Sequence, residues 1–545
     1  MNHRSCVART EWHFVLLWSL VAVTVTSIPY ALGAGLATDD RVFGGFVCAV
    51  EDGYSYLAKM RQGAEGAWLF HIAYTSEPHP GALFFPFHLM LGKVAALLPG
   101  GALTTRMIWV YHVARVAFGF GLLAMVYRFL AALTTSVTIR RLAWLLTTFG
   151  GGLGWFLVAI GAPEWLGSLP LDFILPEGFT FLVLYAFPHI ALGRTLLLGG
   201  LLLLIGGWSK ESAGEPSLVK GGVIPGLLWL AMGLIVPFYV GVAWAVTGAA
   251  WIGTTIRQRR FSWFTMGTAA VAGLISAPIV AYSLWVFNTY PVYRAWSSQN
   301  LILSPHPLHY LVAFGLYLAP ALLAVRPAWR SERPAWLALA WVAVVPLLVY
   351  LPFNLQRRLV EGAQVPLSFL TAWGLTRLFR LGIETESLRR TLTVTVIVVT
   401  FSLTNALLVT GNSLALFDRP HPIYRDAGEV AALDWLDERV APGDVVLSSY
   451  ATGNYLPARV TAHAFVGHGP ETVDAEQKRE LAERFFAPEA ESGWRASLLV
   501  EYGVDYVFWG PAERALGSFD PDRAPFLDQI YAKRDYEIYA TDETN

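Results

Sequence analysis

The sequence predicts a polytopic α-helical membrane protein, with about eleven transmembrane helices, that carries a small α/β domain at its C-terminal end. Three observations predict it. Of 545 residues, 55% are hydrophobic and only 14% charged, with a mean hydropathy of +0.48, a composition suited to lipid rather than water. Mostly apolar runs of roughly 20 residues, enough to cross about 30 Å of hydrocarbon, recur from His13 to Gly411. Beyond Gly411 the character changes: residues 421–545 hold 23 acidic and 11 basic side chains, a net of −12, against a net of +11 for residues 1–420.

The candidate spans are 13–33, 105–131, 141–161, 179–208 (one crossing with a re-entry or bend at Pro188), 222–237, 238–255, 262–286, 308–325, 335–352, 364–380 and 391–411. The first is long for a signal core and its downstream end is a poor cleavage site, so it reads as a retained helix. The pair meeting at Pro237 reads as a tight hairpin or two half-length spans, a form that persists in membranes only when packed in protein or facing a cavity.

Basic residues gather in alternate short loops: Arg4 and Arg9; Arg140 and Arg141; Arg257, Arg259 and Arg260; Arg326, Arg330 and Arg333; Arg377, Arg380, Arg389 and Arg390. The positive-inside rule makes these loops and the N-terminus cytoplasmic. The loop 34–104 and the acidic C-terminal region then both fall outside. Cys6 and Cys48 would face opposite sides, and no disulfide is expected.

The first outer loop, 34–104, is too polar to cross, and its pieces Asp52–Gln62 and Ala82–Leu98 read as short interfacial helices. A second outer loop, 162–178, is broken by Pro and Gly. The membrane part, 1–415, is followed by a soluble region, 420–545, of roughly 120 residues, enough for its own core. Within it Glu429–Val440 has helical spacing of Val430, Leu433, Leu436 and Val440. Asp444-Val-Val-Leu-Ser, His463–His468 and Val504–Trp509 read as strands, with helices near 473–486 and 494–502.

Chemistry is suggested first by Val-Glu51-Asp52-Gly-Tyr54-Ser-Tyr56-Leu-Ala-Lys59, near the start of the first outer loop. A carboxylate there can take a proton from an incoming hydroxyl or amine, or help hold a divalent cation. Two solvated loop acids are the ordinary alternative, but beside Tyr54, Tyr56 and Trp68 an idle carboxylate costs desolvation. Asp172 and Glu177 in the second outer loop form another candidate pair, with an exposed loop as the alternative. Pro352-Phe-Asn-Leu-Gln356-Arg357-Arg358-Leu-Val-Glu361 places two arginines in a loop assigned to the outside. Their planar guanidinium groups suit a phosphate, the alternatives being lipid headgroups or an ion pair with Glu361. His189 and Arg194 are polar groups in an apolar span and face a cavity or serve as structural hydrogen-bonders. The run from Ser297 to Tyr310 suits the rim of an outer cavity or an ordinary capped loop. No phosphate-cradling P-loop, dinucleotide glycine fingerprint, Cys/His cluster or Gly-x-Ser-x-Gly elbow is present, which disfavours a nucleotide-driven pump.

The order of one span, an outer loop opening on an acidic pair and an aromatic-Leu-Ala helix, then Thr75-Ser-Glu77-Pro-His79-Pro, resembles the membrane glycosyltransferases of the C superfamily. These include protein mannosyltransferases, aminoarabinose transferases and oligosaccharyltransferase catalytic subunits. The motif agreement lies within about residues 45–98. The resemblance implies that Asp52, with Glu51 as alternate, is the catalytic base or a metal ligand. Members often place another acid in the second outer loop, for metal or acceptor, and a spacing of five would let Asp172 and Glu177 approach one site if that loop folds back; Tyr54 and His189 are expected on a cavity. Where some members carry a lysine that touches the lipid phosphate, this chain has His79. A divalent cation such as Mg or Mn, if used, would fall to Asp52 and Asp172, although neither loop has an Asp-x-Asp signature.

The expected function is therefore a hexosyl- or pentosyltransferase of the cell envelope. It would move a sugar from a polyprenyl-phosphate donor to an extracytoplasmic glycan, lipid or protein, with Arg357 and Arg358 on the donor phosphate and no nucleic-acid partner. The alternatives are a polytopic transporter or lipid flippase, and an accessory subunit that displays the outer domain; the absence of an evident internal repeat counts against the transporter.

Overall fold

The computed structural model describes residues 7–211, 217–381 and 387–541; Arg4 and Cys6 lie outside them. Among the described residues, six helices are long and apolar enough to cross a membrane: Arg9–Gly35, Leu103–Leu133, Pro188–Trp208, Tyr239–Gln258, Trp263–Thr289 and Ser387–Asp418. The chain is a multi-pass membrane protein. The expected eleven full crossings are not reached among the described residues, because glycine and proline shorten the rest. Shorter apolar helices cover Val219–Ile235, Leu308–Leu322 and Trp336–Leu348, and a helix at Gln364–Leu378 follows.

The chain divides into two compact units. The first comprises Met1–Ile28, Val113–Ser283 and Ile302–Gly411. Here the segment expected as one span over 141–161 is broken: a helix at Val137–Phe149 ends at Gly150, and Gly154–Ala159 resumes it. A run of glycines lowers helix propensity without lowering hydropathy, so the break is invisible to an apolar window. Its backbone groups are satisfied by neighbours, as lipid requires. Gly151 N donates to Phe401 O at 2.7 Å and Leu153 N to Val312 O at 3.1 Å. The Gln364 and Asn405 side-chain amides donate to Gly150 O and Phe149 O at 2.8 and 2.7 Å. The bend expected at Pro188 is present, between Thr180–Ala186 and the helix beginning at Pro188.

The second unit comprises Pro29–His112, Leu284–Leu301 and Asn412–Asn545, so the first outer loop and the C-terminal segment share one body. Strand β1 (Arg41–Phe43) pairs antiparallel with β2 (Tyr424–Asp426), Val42 facing Arg425. A five-stranded sheet uses β3 (Val445–Leu447), β4 (His463–Ala464), β5 (Tyr506–Trp509), β6 (Leu527–Lys533) and β7 (Tyr536–Thr541), in the order β4-β3-β5-β7-β6. The β4, β3 and β5 pairings are parallel, with helices Tyr450–Arg459, Ala475–Phe486 and Ser492–Glu501 in the crossovers, while β7 and β6 form an antiparallel hairpin.

Alternation along β3 gives the sheet two cores. Val446 joins Tyr54, Leu57, Met60, Leu433, Tyr455 and Phe508, whereas Val445 and Leu447 join Phe465, Phe485, Leu498 and Trp509. The loop helix Val50–Ala64 is thus part of the first core. It packs closely on the helix Pro86–Leu97. A Cβ on Gly63 would stand 2.0 Å from Leu89 O, and one on Gly92 1.7 Å from Met60 O, so both contacts require glycine.

Candidate active site

The helix Val50–Ala64 starts from Ala49 in the left-handed region (φ 48°), with Glu51 and Asp52 in its first turn, where carboxylates complement the helix dipole. Asp52, Ser55 and Lys59 follow at spacings of three and four, so one face carries all three. Opposite that face lies the turn after β4, in which the Glu471 and Thr472 N–H groups both donate to His468 O at 2.9 Å. This turn presents the His468 and Glu471 side chains together.

A row of alternating charge results. Lys59 Nζ lies 2.6 Å from Glu471 Oε1, Glu471 Oε1 lies 3.3 Å from His468 Nδ1, and His468 Nε2 lies 3.3 Å from Asp52 Oδ1. Ser55 Oγ donates to Glu471 Oε1 at 2.6 Å. Side-chain exposure falls inward, from 43% at Asp52 to 7% at His468 and Glu471 and 1% at Lys59. Lys59 is walled by Phe85, Phe70 and Tyr56, with ring centroids 4.5, 5.4 and 5.8 Å away. Burial opposes charge on His468, but the Asp52 hydrogen bond and the adjoining Glu471 carboxylate win and lift its pKa to about 9. Burial likewise opposes charge on Glu471, and the neighbouring Lys59 and His468 cations outweigh it, holding the carboxyl near about 2. Glu51 points elsewhere, accepting from Tyr450 OH at 3.2 Å.

Other expected residues of this unit have local duties. Tyr54 was expected on a cavity, but it is fully buried and donates to Pro422 O at 2.6 Å. His79 accepts from Ile72 N–H at Nε2 (2.8 Å), which leaves Nδ1 to donate to Glu77 O (2.8 Å). Both ring nitrogens are therefore used within its own loop. Lys478 pairs with Glu77 at 2.7 Å.

The first unit holds the remaining candidates. Asp172 and Glu177 do not share partners. Asp172 is buried, and its Oδ2 accepts from Gly152 N, Gly154 N and Thr404 Oγ1 at 2.9, 3.0 and 2.6 Å, closing the glycine break. Glu177 is buried beside Arg358, 3.7 Å from its Nε. Glu361, one alternative partner for the arginine pair, is bound by Arg194 in a fully buried bidentate pair at 2.5 and 3.0 Å. Arg194 also donates to Pro176 O and Glu177 O, so its role in the span is structural. Arg357 keeps a buried Nε with no hydrogen-bond partner among the described residues. Burial and the neighbouring Arg358 push the Arg357 pKa down, against the pull of Glu177. His189 packs edge-on to Phe187, with centroids 6.0 Å apart.

No group of three His, Cys, Asp or Glu side chains among the described residues is placed to hold a metal ion. Asp172 Oδ2 is taken by the Gly152 and Gly154 amides and by Thr404, whereas its Oδ1 has no hydrogen-bond partner among the described residues.

His468, Glu471 and Lys59 were not foreseen as site residues. The faint signals were the spacing of Asp52, Ser55 and Lys59 along one helix face and the His468-x-x-Glu471 pair in an otherwise apolar strand region.

No family model matches the sequence, and no curated protein matches it. Among solved structures the chain is similar to the arabinofuranosyltransferase AftD from Mycobacteria, with a TM-score of 0.53 and 15% identity over 96% of this chain and 41% of that one. It is also similar to ArnT from Cupriavidus metallidurans bound to undecaprenyl phosphate, with a TM-score of 0.49 and 13% identity over 98% and 99%. The oligosaccharyltransferase from Archaeoglobus fulgidus in the apo form gives 0.49 and 14% over 97% and 75%. The chain therefore shares the fold of the arabinofuranosyltransferase AftD over most of its length.

Proposed function

We propose that the protein is a glycosyltransferase that moves a sugar from a polyprenyl-phosphate donor to an acceptor on the extracytoplasmic side, with Asp52 as the general base. The observation that carries this reading is Asp52 itself: a half-exposed carboxylate on a rigid helix end, backed by a buried imidazolium. Such a group reaches solvent, as proton abstraction from an incoming acceptor requires. The fold shared with an arabinofuranosyltransferase supports the reaction class, and the outward orientation rests on the basic clusters of the short loops.

In the step proposed, the acceptor O–H proton passes to the Asp52 carboxylate as the acceptor oxygen forms a bond to the anomeric carbon. The bond from that carbon to the phosphate oxygen breaks, and its electron pair leaves with the polyprenyl phosphate. For the phosphate charge the first unit offers Arg357 and Arg358, of which Arg357 has a buried Nε with no protein acceptor among the described residues.

The test is a transfer assay on membranes containing wild type and Asp52→Asn, with labelled polyprenyl-phosphate hexoses and pentoses as probes. Loss of transfer by at least about 100-fold, with the protein still inserted, is expected for removal of a general base. Transfer at the wild-type rate would remove Asp52 from the chemistry.

A further inference from the structure

We propose that His468 is a positioning residue for Asp52, supplied by the C-terminal segment and held by Glu471 and Lys59, so that this segment completes the site. The inference rests on Asp52 being the base and goes beyond it in assigning the group that aims that base.

The geometry distinguishes a positioning device from an ordinary surface ion pair. His468 faces one carboxylate at each ring nitrogen, Asp52 at Nε2 and Glu471 at Nδ1. Nε2 hydrogen-bonds Asp52 while the Glu471 carboxylate stands 3.3 Å from Nδ1, and a negative group beside each nitrogen favours the doubly protonated ring. Rotation about the Cβ–Cγ bond would lose one of the two contacts.

Glu471 cannot follow a wandering ring, because Lys59 and Ser55 hold the oxygen that faces His468. Lys59 in turn is enclosed by Phe85, Phe70 and Tyr56. Only the Asp52 end of the row meets water. Because Asp52, Ser55 and Lys59 project from one helix, the spacing of the row is set by helix geometry rather than by a loop. The four charges alternate and cancel, so burying the row leaves no net charge uncompensated.

The variants His468→Gln and His468→Asn separate positioning from simple support. Glutamine places an amide N–H near the position of Nε2 and can still donate toward Asp52; asparagine places its amide near Nδ1 and cannot. Membranes are assayed with labelled polyprenyl-phosphate hexoses and pentoses, alongside a protease-resistance measurement of folding. The expected result for His468→Asn is a kcat lower by about 100-fold, the scale of a misplaced reacting group, with KM for the labelled donor unchanged. His468→Gln is expected to recover at least about a tenth of the wild-type kcat.

Wild-type kcat in His468→Asn, or equal losses in both variants, would overturn the positioning role. If His468→Asn does not accumulate folded, the kcat of His468→Gln against Glu471→Gln decides, with the larger loss expected in His468→Gln and the reverse order overturning the inference. Asp52→Asn run in parallel keeps the two claims apart. Its retention of transfer removes the base, whereas its loss of transfer beside a fully active His468→Asn removes only the positioning role.

Discussion

His468 Nε2 stands 3.3 Å from Asp52 Oδ1, although 416 residues of chain separate them. The acid that follows the first span is therefore held by the turn that follows β4. The carboxylate is half exposed and the imidazole buried, so the pair presents a negative charge outward from a positive one behind it. In the proposed reaction an acceptor proton would move toward a carboxylate whose charge faces an imidazole behind it.

The pH dependence of stability follows from the same row. The folded pKa of His468, about 9, lies above its ordinary 6.5, so its contribution is complete below 6.5 and is lost as pH rises through 9. The folded pKa of Glu471, about 2, lies below its ordinary 4.5, so its contribution is complete above 4.5 and is lost as pH falls through 2. Both act in full between 4.5 and 6.5. Thermal unfolding in detergent should show that the stability difference between wild type and His468→Gln is largest in this window and shrinks toward pH 9. A difference that grows with alkalinity would contradict the assignment.

Removing one member of the buried pair should cost more than removing both. Lys59→Met leaves the buried Glu471 without its nearest cation, a change expected to destabilise by about 3–5 kcal/mol. The double variant Lys59→Met with Glu471→Leu replaces both charges by apolar groups and should recover more than half of that loss. Denaturant midpoints of the two variants measure the difference.

Asp172 is expected to matter for folding and not for turnover. Its carboxylate accepts from Gly152 N, Gly154 N and Thr404 Oγ1; losing it orphans two buried amides, at a cost of about 1–3 kcal/mol for each unsatisfied group. Asp172→Ala should lower the unfolding temperature and leave the kcat of the surviving protein unchanged. A specific fall in kcat would return this acid to the chemistry.

The positions of the helices and several strands were legible in the pattern of apolar residues. The spacing in Glu429–Val440 marks the helix Ala427–Asp437, and Asp444-Val-Val-Leu-Ser contains β3. What escaped had no local signal. The three-residue strands β1 and β2 are too short to show alternation. Gly150–Gly152 passes as apolar while breaking a helix. Asp52 stands out in sequence by its place after the first span, but the residues it faces do not, because ion pairs between distant segments leave no periodicity. The same limit hid the partner of Glu361, which lies three residues from Arg358 in sequence but binds Arg194, 167 residues away.

That pairing decides what Arg357 is free to do. With Glu361 neutralised by Arg194 and Glu177 nearer to Arg358, Arg357 carries a partly buried guanidinium whose Nε has no acceptor among the described residues. A buried N–H without an acceptor is costly, and two oxygens of a phosphate facing the planar guanidinium would relieve that cost. Arg357→Ala should therefore raise KM for a labelled polyprenyl-phosphate sugar by about 10-fold, the equivalent of one charge-assisted hydrogen bond, with a smaller change in kcat. Arg357→Lys should restore the charge but not the fork, and recover only part of the affinity. An unchanged KM in Arg357→Ala, measured beside an unchanged unfolding temperature, would show that the donor phosphate is bound elsewhere.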